Sequence, residues 1–288
     1  MTQRDMAGYI NVTPVTLRNW RKNKPELYEI VMKGFAFNEM IELNNKISTA
    51  TPIEELKYYT GYLQEKYYGT DGYDVDYYKL NIAEKGIVKL MFKHDNFENK
   101  EHFYVELFNS DNVNLFKEKS LLNKRGITKY IGLDKGKYFI KISTYSASTK
   151  VNNKEYSLGY TLTKTDNIEL ENNDTMKKAT SIIDGKYITG HYQTKATGST
   201  RADKDYYSYM AKEGKYNLIF EHEIFENNDS LTIKIFDENM KQAYIFYGKA
   251  KNIKEQFELQ LKDGKYYIEF QNIYHSSGQE YKFGLLKQ

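Results

Sequence analysis

Arg18, Asn19, Arg21, Lys22 and Lys24 crowd into one short segment, TPVTLRNWRKNK, which runs from Thr13 to Lys24. A guanidinium is a rigid fork that suits phosphate or a base edge, and an ammonium is a mobile point charge that suits phosphate. Residues 1–24 hold Arg4, Arg18, Arg21, Lys22 and Lys24 against Asp5 alone. The stretch from Asp166 to Asp174 inverts the sign, with Asp166, Glu169, Glu171 and Asp174 and no base. A net charge of +3 is too small for a chain coated in nucleic acid, but this asymmetry points to separate partners for separate segments.

Catalytic patterns are sparse. The histidines are His94, His102, His191, His222 and His275, and the first and fourth occupy equivalent places in a repeat, which favours a structural role for them. The sequence holds no G-x-S-x-G elbow, no H-E-x-x-H and no glycine-rich phosphate loop. The expectation is a protein that is not an enzyme. With no cysteine, disulfides and zinc–thiolate sites are excluded. The N-terminus lacks a signal pattern and no apolar run approaches a membrane span, so the expectation is a cytoplasmic protein with no membrane partner, taking Met1 as the native start.

The elements that carry these residues follow from a duplication. TGYLQEKYYGTDGYDVDYYKL, Thr60 to Leu80, lies over TGHYQTKATGSTRADKDYYSY, Thr189 to Tyr209; FKHDNFEN lies over FEHEIFEN, and LDKGKYFIKI over LKDGKYYIEF. The offset drifts by a single residue over the three matches, so the chain contains two tandem copies of one unit. Runs such as YNLIFEHEIF and SLTIKIFD alternate apolar and polar residues between turn signals, the period of half-buried strands. Tyrosine, present 28 times, suits such surfaces. Gly136 and Gly264 are expected at positive φ in the turns of DKGKY and KDGKY. The first 50 residues differ: Thr13 caps a helix with Pro14 at its first position, and a second helical period starts at Pro25. The expected fold is mainly β with a small α N-terminal domain. The domains are residues 1–48, helical, then 52–165 and 167–288, two antiparallel sandwiches of jelly-roll type.

The segment QRDMAGYINVTPVTLRNWRK resembles the helix-turn-helix of small bacterial and phage DNA-binding proteins. Met6, Ala7 and Ile10 would be the inner face of the first helix, Asn11 and Val12 the turn, and Leu17 with Trp20 the inner face of the second. The resemblance implies double-stranded DNA as a partner, met by Thr13, Thr16, Arg18, Asn19, Arg21, Lys22 and Lys24. Arg18 and Asn19 would read base edges, and Arg21, Lys22 and Lys24 would meet phosphates. The helix from Pro25 could serve a homodimer. The alternative is a capped amphipathic helix whose charges are only solvated.

ELENNDTMKKATSI, YITGHY, DKDYYSY and GKYYIEF in the second copy resemble the bacterial pre-peptidase C-terminal domain, a family that includes collagen-binding modules of bacterial collagenases. DVDYYKL and GKYFIKI extend the resemblance to the first copy, whose lead-in TPIEELKYYTG lacks the Asn-Asp pair. The resemblance implies a jelly-roll sandwich and, in some members, bound calcium. Carried over by motif, its ligands would be Glu169, Glu171, Asn173, Asp174, Asp203 and Asp205, an oxygen set of the kind Ca2+ takes. In the first copy only Asp74 and Asp76 remain, with Glu54 or Glu55 as helpers. No cofactor is otherwise required.

Two functions follow. One is a non-enzymatic, DNA-binding, transcriptional-regulator-like protein with tandem sandwiches for ligand binding or oligomerisation. The other is a protein- or glycan-binding, adhesion-type protein in which the helices only pack or dimerise and calcium stabilises the sandwiches.

Overall fold

A computed structural model describes residues 7, 12–29, 31, 44–63, 74–94, 102–120, 126–144, 155–193, 203–222, 231–248, 254–272 and 280–288. Within the head, helix α1 spans Pro14–Asn23, and residues 25–29 are helical. Thr13 caps α1, its hydroxyl accepting from the Thr16 N–H at 3.0 Å. Ala7 and Leu17 are buried together against Val12, Trp20, Tyr28 and Val31. Met6, Ile10 and Asn11 lie outside the described residues. What is described is therefore a capped helix, a short helical continuation and a small apolar cluster, and these do not establish a helix-turn-helix.

The rest is β. In the first copy the strands are β1 (Thr51–Ile53), β2 (Tyr58–Tyr62), β3 (Val75–Ile82), β4 (Gly86–His94), β5 (Tyr104–Asn109), β6 (Asn114–Lys119), β7 (Gly126–Leu133), β8 (Gly136–Ser143) and β9 (Glu155–Lys164). The second repeats them as β10 (Thr180–Ser181), β11 (Tyr187–His191), β12 (Lys204–Ala211), β13 (Gly214–His222), β14 (Leu231–Phe236), β15 (Gln242–Gly248), β16 (Lys254–Leu261), β17 (Gly264–Asn272) and β18 (Glu280–Lys287). Each copy stacks a five-stranded sheet on a four-stranded one. The orders are β1-β3-β8-β5-β6 and β2-β9-β4-β7 in the first, and β10-β12-β17-β14-β15 and β11-β18-β13-β16 in the second. The same strand order from two diverged sequences is direct evidence of the duplication.

Burial alternates along β3, β4 and β13, as period-two patterning requires. The inward residues form one core per copy, around Phe92, Phe103, Phe116 and Ile140 in the first, and Phe220, Phe270, Phe283 and Ile268 in the second. The sheets are antiparallel except at one edge, where β1 and β10 run parallel to β3 and β12. Gly264 takes the expected positive φ, +147°, whereas Gly136 is not among the positive-φ glycines. The β5–β6 and β14–β15 hairpins share one turn, with Asn112 at φ 59° and Met240 at φ 64°. In each, a side-chain oxygen, from Asn109 or Asp237, accepts two backbone N–H groups of the turn.

The first copy begins earlier than its TPIEELKYYTG segment. Ile47–Thr49 forms a 3-10 turn where the second copy has one at Met176–Lys178. Ahead of each turn an asparagine carbonyl accepts the N–H of a tyrosine on the third strand, Asn44 from Tyr77 at 2.8 Å and Asn173 from Tyr206 at 3.1 Å. The lead-in of the first copy is therefore the segment containing Asn44.

Candidate functional site

The lead-in of the second copy runs from Asp166 into the turn at Met176 and is held by backbone bonds to β11. Ile168 bridges Thr189, and the Glu169 N–H donates to the Thr189 carbonyl at 2.8 Å. This brings Glu169 and Glu171 over Asp205, the second residue of β12. Each of the three offers a carboxylate oxygen, all within 4.8 Å of one another. Glu169 and Asp205 are buried, as is Asn173.

The site is tied to its surroundings through donors. Glu169 Oε2 accepts the His191 N–H at 2.8 Å, and Oε1 accepts from Asn173 Nδ2 at 2.9 Å. Asp205 Oδ2 accepts from the Tyr281 hydroxyl at 2.6 Å, and that hydroxyl lies 2.6 Å from that of Tyr207. Asp203 Oδ2 accepts the Gln193 N–H at 2.5 Å. The Tyr281 ring needs the space above Gly190, because a Cβ there would lie 2.4 Å from its Cζ. Gly61 stands in the same relation to Tyr156, which explains the shared Thr-Gly of Thr60-Gly61 and Thr189-Gly190.

The electrostatics are those of buried anions crowded together. Burial, reinforced by Glu171, pushes Glu169 up to about 8. Asp205 is held well above the usual carboxylate range by burial and by the charge on Glu169. The hydroxyls of Tyr192, Tyr207 and Tyr281 are displaced upward mainly by burial. His191, buried beside Glu280, falls to about 4 and is neutral at pH 7.

Whether these residues suit a cation can be tested on their unsatisfied atoms. Asn173 Oδ1 is buried and no donor reaches it among the described residues, and buried Asp205 Oδ1 meets no donor there beyond a proton that Asp205 and Glu169 would share. No lysine or arginine pairs with Glu169 or Asp205 among those residues. Orphaned buried acceptors are costly, and an oxygen-only set with several carboxylates is the environment a hard divalent cation takes. The fit is good for Glu169, Glu171, Asp205 and the Asn173 carbonyl oxygen. Asp203 adds charge beside them without joining the grouping, and Asp174 does not join it either.

In the first copy Asp76 is buried and accepts from the Tyr156 hydroxyl, which pairs with that of Tyr78 at 2.7 Å. Asn44 matches Asn173, and among the described residues no donor reaches its buried Oδ1. The register that equates these asparagines sets Met40 opposite Glu169, so one carboxylate is lost. Glu54 and Glu55 are not helpers: Glu54 pairs with Lys57, and Glu55 accepts the Leu162 N–H.

The same lead-in joins the copies. The Glu171 N–H donates to the Gly132 carbonyl at 3.0 Å, and Gln193 Nε2 donates to the Tyr130 carbonyl at 2.9 Å. The His191 ring stacks on Tyr130 with centroids 5.6 Å apart. A Cβ on Gly132 would fall 1.8 Å from the Glu169 carbonyl oxygen. The open edge of β7 is thus covered by the residues that surround the acidic cluster, a contact with no sequence signature.

The proposed DNA-contact residues lie together on α1 and its flanks. Thr13, Arg18, Asn19, Arg21, Lys22 and Lys24 are exposed and Thr16 is half-buried, its hydroxyl 2.9 Å from that of Thr13. None of the cations is drawn into the packing around Leu17.

No family model matches the chain, and no curated protein matches it. Among solved structures, it is similar to the pre-peptidase C-terminal domain of a collagenase from Bacillus anthracis, at 18% identity and a TM-score of 0.29, covering 38% of this chain and 93% of that one. It is also similar to the tandem CBM51 modules of a family 98 glycoside hydrolase from Streptococcus pneumoniae, at 8% identity and a TM-score of 0.24, covering 78% and 83%. A third is the CUB1-EGF-CUB2 segment of human MASP-1/3, at 13% identity and a TM-score of 0.23, covering 78% and 99%.

Proposed function

We propose that the chain is a non-catalytic binding protein whose tandem sandwiches engage a protein or glycan ligand through their sheet faces, with calcium fastening the second copy. The observation that carries this is the placement of large aromatic and apolar side chains where an isolated sandwich carries polar ones. Tyr58 is 52% exposed and Tyr62 45% in the first copy, and Tyr247 is 64% exposed beside Ile245 in the second. A tyrosine face is flat, rigid and amphipathic, which suits stacking on a sugar ring or packing in a protein interface. The test is retention of the intact chain on arrays of immobilised glycans and on matrix proteins such as collagen, in calcium and in chelator. Retention that Tyr58→Ala or Tyr247→Ala abolishes supports the reading; no retention on either surface overturns it.

A second reading, double-stranded DNA as ligand of the head, is favoured by the exposure of Arg18, Asn19, Arg21, Lys22 and Lys24 on one helix. It requires a salt-dependent shift of duplex DNA that the Arg18→Ala, Arg21→Ala double variant loses. An unshifted duplex at low salt removes it.

A further inference from the structure

We propose that the outer face of the four-stranded sheet in the first copy is a subsite for an acidic glycan, with Tyr58 as its platform and Lys89 and Lys93 as its carboxylate partners. The inference rests on the binding reading above and names the ligand class of one face.

The register builds the platform. Tyr58 on β2 stands opposite Gly159 on β9, which stands opposite Met91 on β4. With no side chain at Gly159 the ring lies against the sheet: a Cβ there would come within 3.1 Å of Tyr58 Cδ1. The Tyr58 hydroxyl donates to Met91 Sδ at 3.2 Å, fixing the ring at its far end. The ring is held while half of its surface faces solvent.

The cations are placed beside it. Lys93 Nζ lies 5.3 Å from the centroid of Tyr58, and Lys89 Nζ lies 5.4 Å from that of Tyr130. Among the described residues neither has a carboxylate within ion-pair range. An exposed contact of ammonium and ring is weaker than a charge-assisted bond to an anion. These lysines are therefore parked where an incoming carboxylate can take them. Thr60, Ser157 and Thr161 add hydroxyls on the same face. From β2 to β7 the sheet measures roughly 14 Å, three strand spacings, the reach of a short oligosaccharide.

The second copy supplies an internal control. It keeps the platform, with Tyr187 opposite Gly284, but Asn217 and Glu221 occupy the positions of Lys89 and Lys93. Two of its lysines pair internally, Lys254 with Glu221 at 2.7 Å and Lys282 with Glu280 at 2.9 Å. Of the two four-stranded sheets, the first copy's carries lysines at these two positions and the second copy's does not. Two lysines around an exposed tyrosine match the carboxylate and the ring face of a uronate, whereas a nucleic acid is held by longer runs of cations.

The experiment uses the intact chain in affinity electrophoresis and calorimetry with a galacturonate hexamer, its methyl ester, maltohexaose and a dodecamer of thymidylate. The galacturonate hexamer is expected to bind, and esterification to weaken it at least tenfold. The Lys89→Gln, Lys93→Gln double variant and Tyr58→Ala should each lose tenfold or more with unchanged circular dichroism. Lys215→Gln with Lys282→Gln, on the second copy, should lose nothing. Equal binding of acid and ester, full affinity in the lysine double variant, or binding of the thymidylate alone overturns the proposal. Retention of another ligand through Tyr247 would leave the general binding reading standing while this subsite falls.

Discussion

Removing calcium should make the second copy sensitive to pH in a direction set by Glu169. Its carboxyl is held at about 8 against an ordinary value of 4.5. Below 4.5 the folded and unfolded chains both keep the proton, and the group contributes nothing. As pH rises past 4.5 the unfolded chain ionises while the folded one retains its proton, so stability falls until about pH 8 and is then level. The displacement corresponds to on the order of 5 kcal/mol, shared with Asp205, which competes for the same proton. In a unit of this size that is roughly 10 °C or more in Tm. A divalent cation replaces the proton, so the loss should disappear in calcium. The assay is thermal unfolding from pH 5 to 8, in EDTA and in calcium, with calorimetry at pH 7 in two buffers of different ionisation enthalpy. Expected are curves that diverge as pH rises, and release of close to one proton on binding. Glu169→Gln should raise the Tm in EDTA at pH 8 and weaken the calcium response. Superimposable curves in EDTA and calcium across that range would refute the reasoning.

Three further outcomes are expected. Tyr281→Phe removes the hydroxyl that donates to Asp205 and should cost about 1–3 kcal/mol in the chelated protein by urea titration. Gly132→Ala forces a Cβ into the Glu169 carbonyl; small-angle scattering should show a longer particle and protease should cut between Thr165 and Leu170, each sandwich keeping its own spectrum. Leu17→Ala, in the small cluster of the head, should cost about 2–5 kcal/mol there, seen as lost helical signal well below the unchanged β transition.

Strands with strong alternation, the paired repeats and the Thr13 cap were legible because each is written in local sequence. Glu169 and Asp205 were reachable through short motifs that survive divergence. Tyr281 was not: it meets Asp205 from 76 positions away, and the last strand has slipped relative to the rest of the repeat. Asn44 was hidden because Met40 and Asn45 stand where the second copy has Glu169 and Asp174, so the acidic motif that marks the lead-in is broken in that copy. β1 and β10 are too short to show a period. The hydrogen bonds of the seam at Gly132 and Tyr130 are accepted by backbone carbonyls, and one glycine with one ring stack makes no side-chain pattern that announces it.

One backbone position is engaged differently in the two copies. The Gly132 carbonyl on β7 is engaged by the following sandwich, through the Glu171 N–H. At the corresponding place on β16, the Gln260 carbonyl accepts the hydroxyl of Tyr244 at 2.8 Å, and the Gln260 N–H donates back to the same oxygen at 3.1 Å. The residue matching Tyr244 in the first copy is Phe116, fully buried and without a hydroxyl to offer. A phenol in one repeat and a phenyl in the other thus set the two edges apart at this position. On β16 the chain's own side chain takes up the backbone groups of Gln260, which shortens the border open to a stray strand.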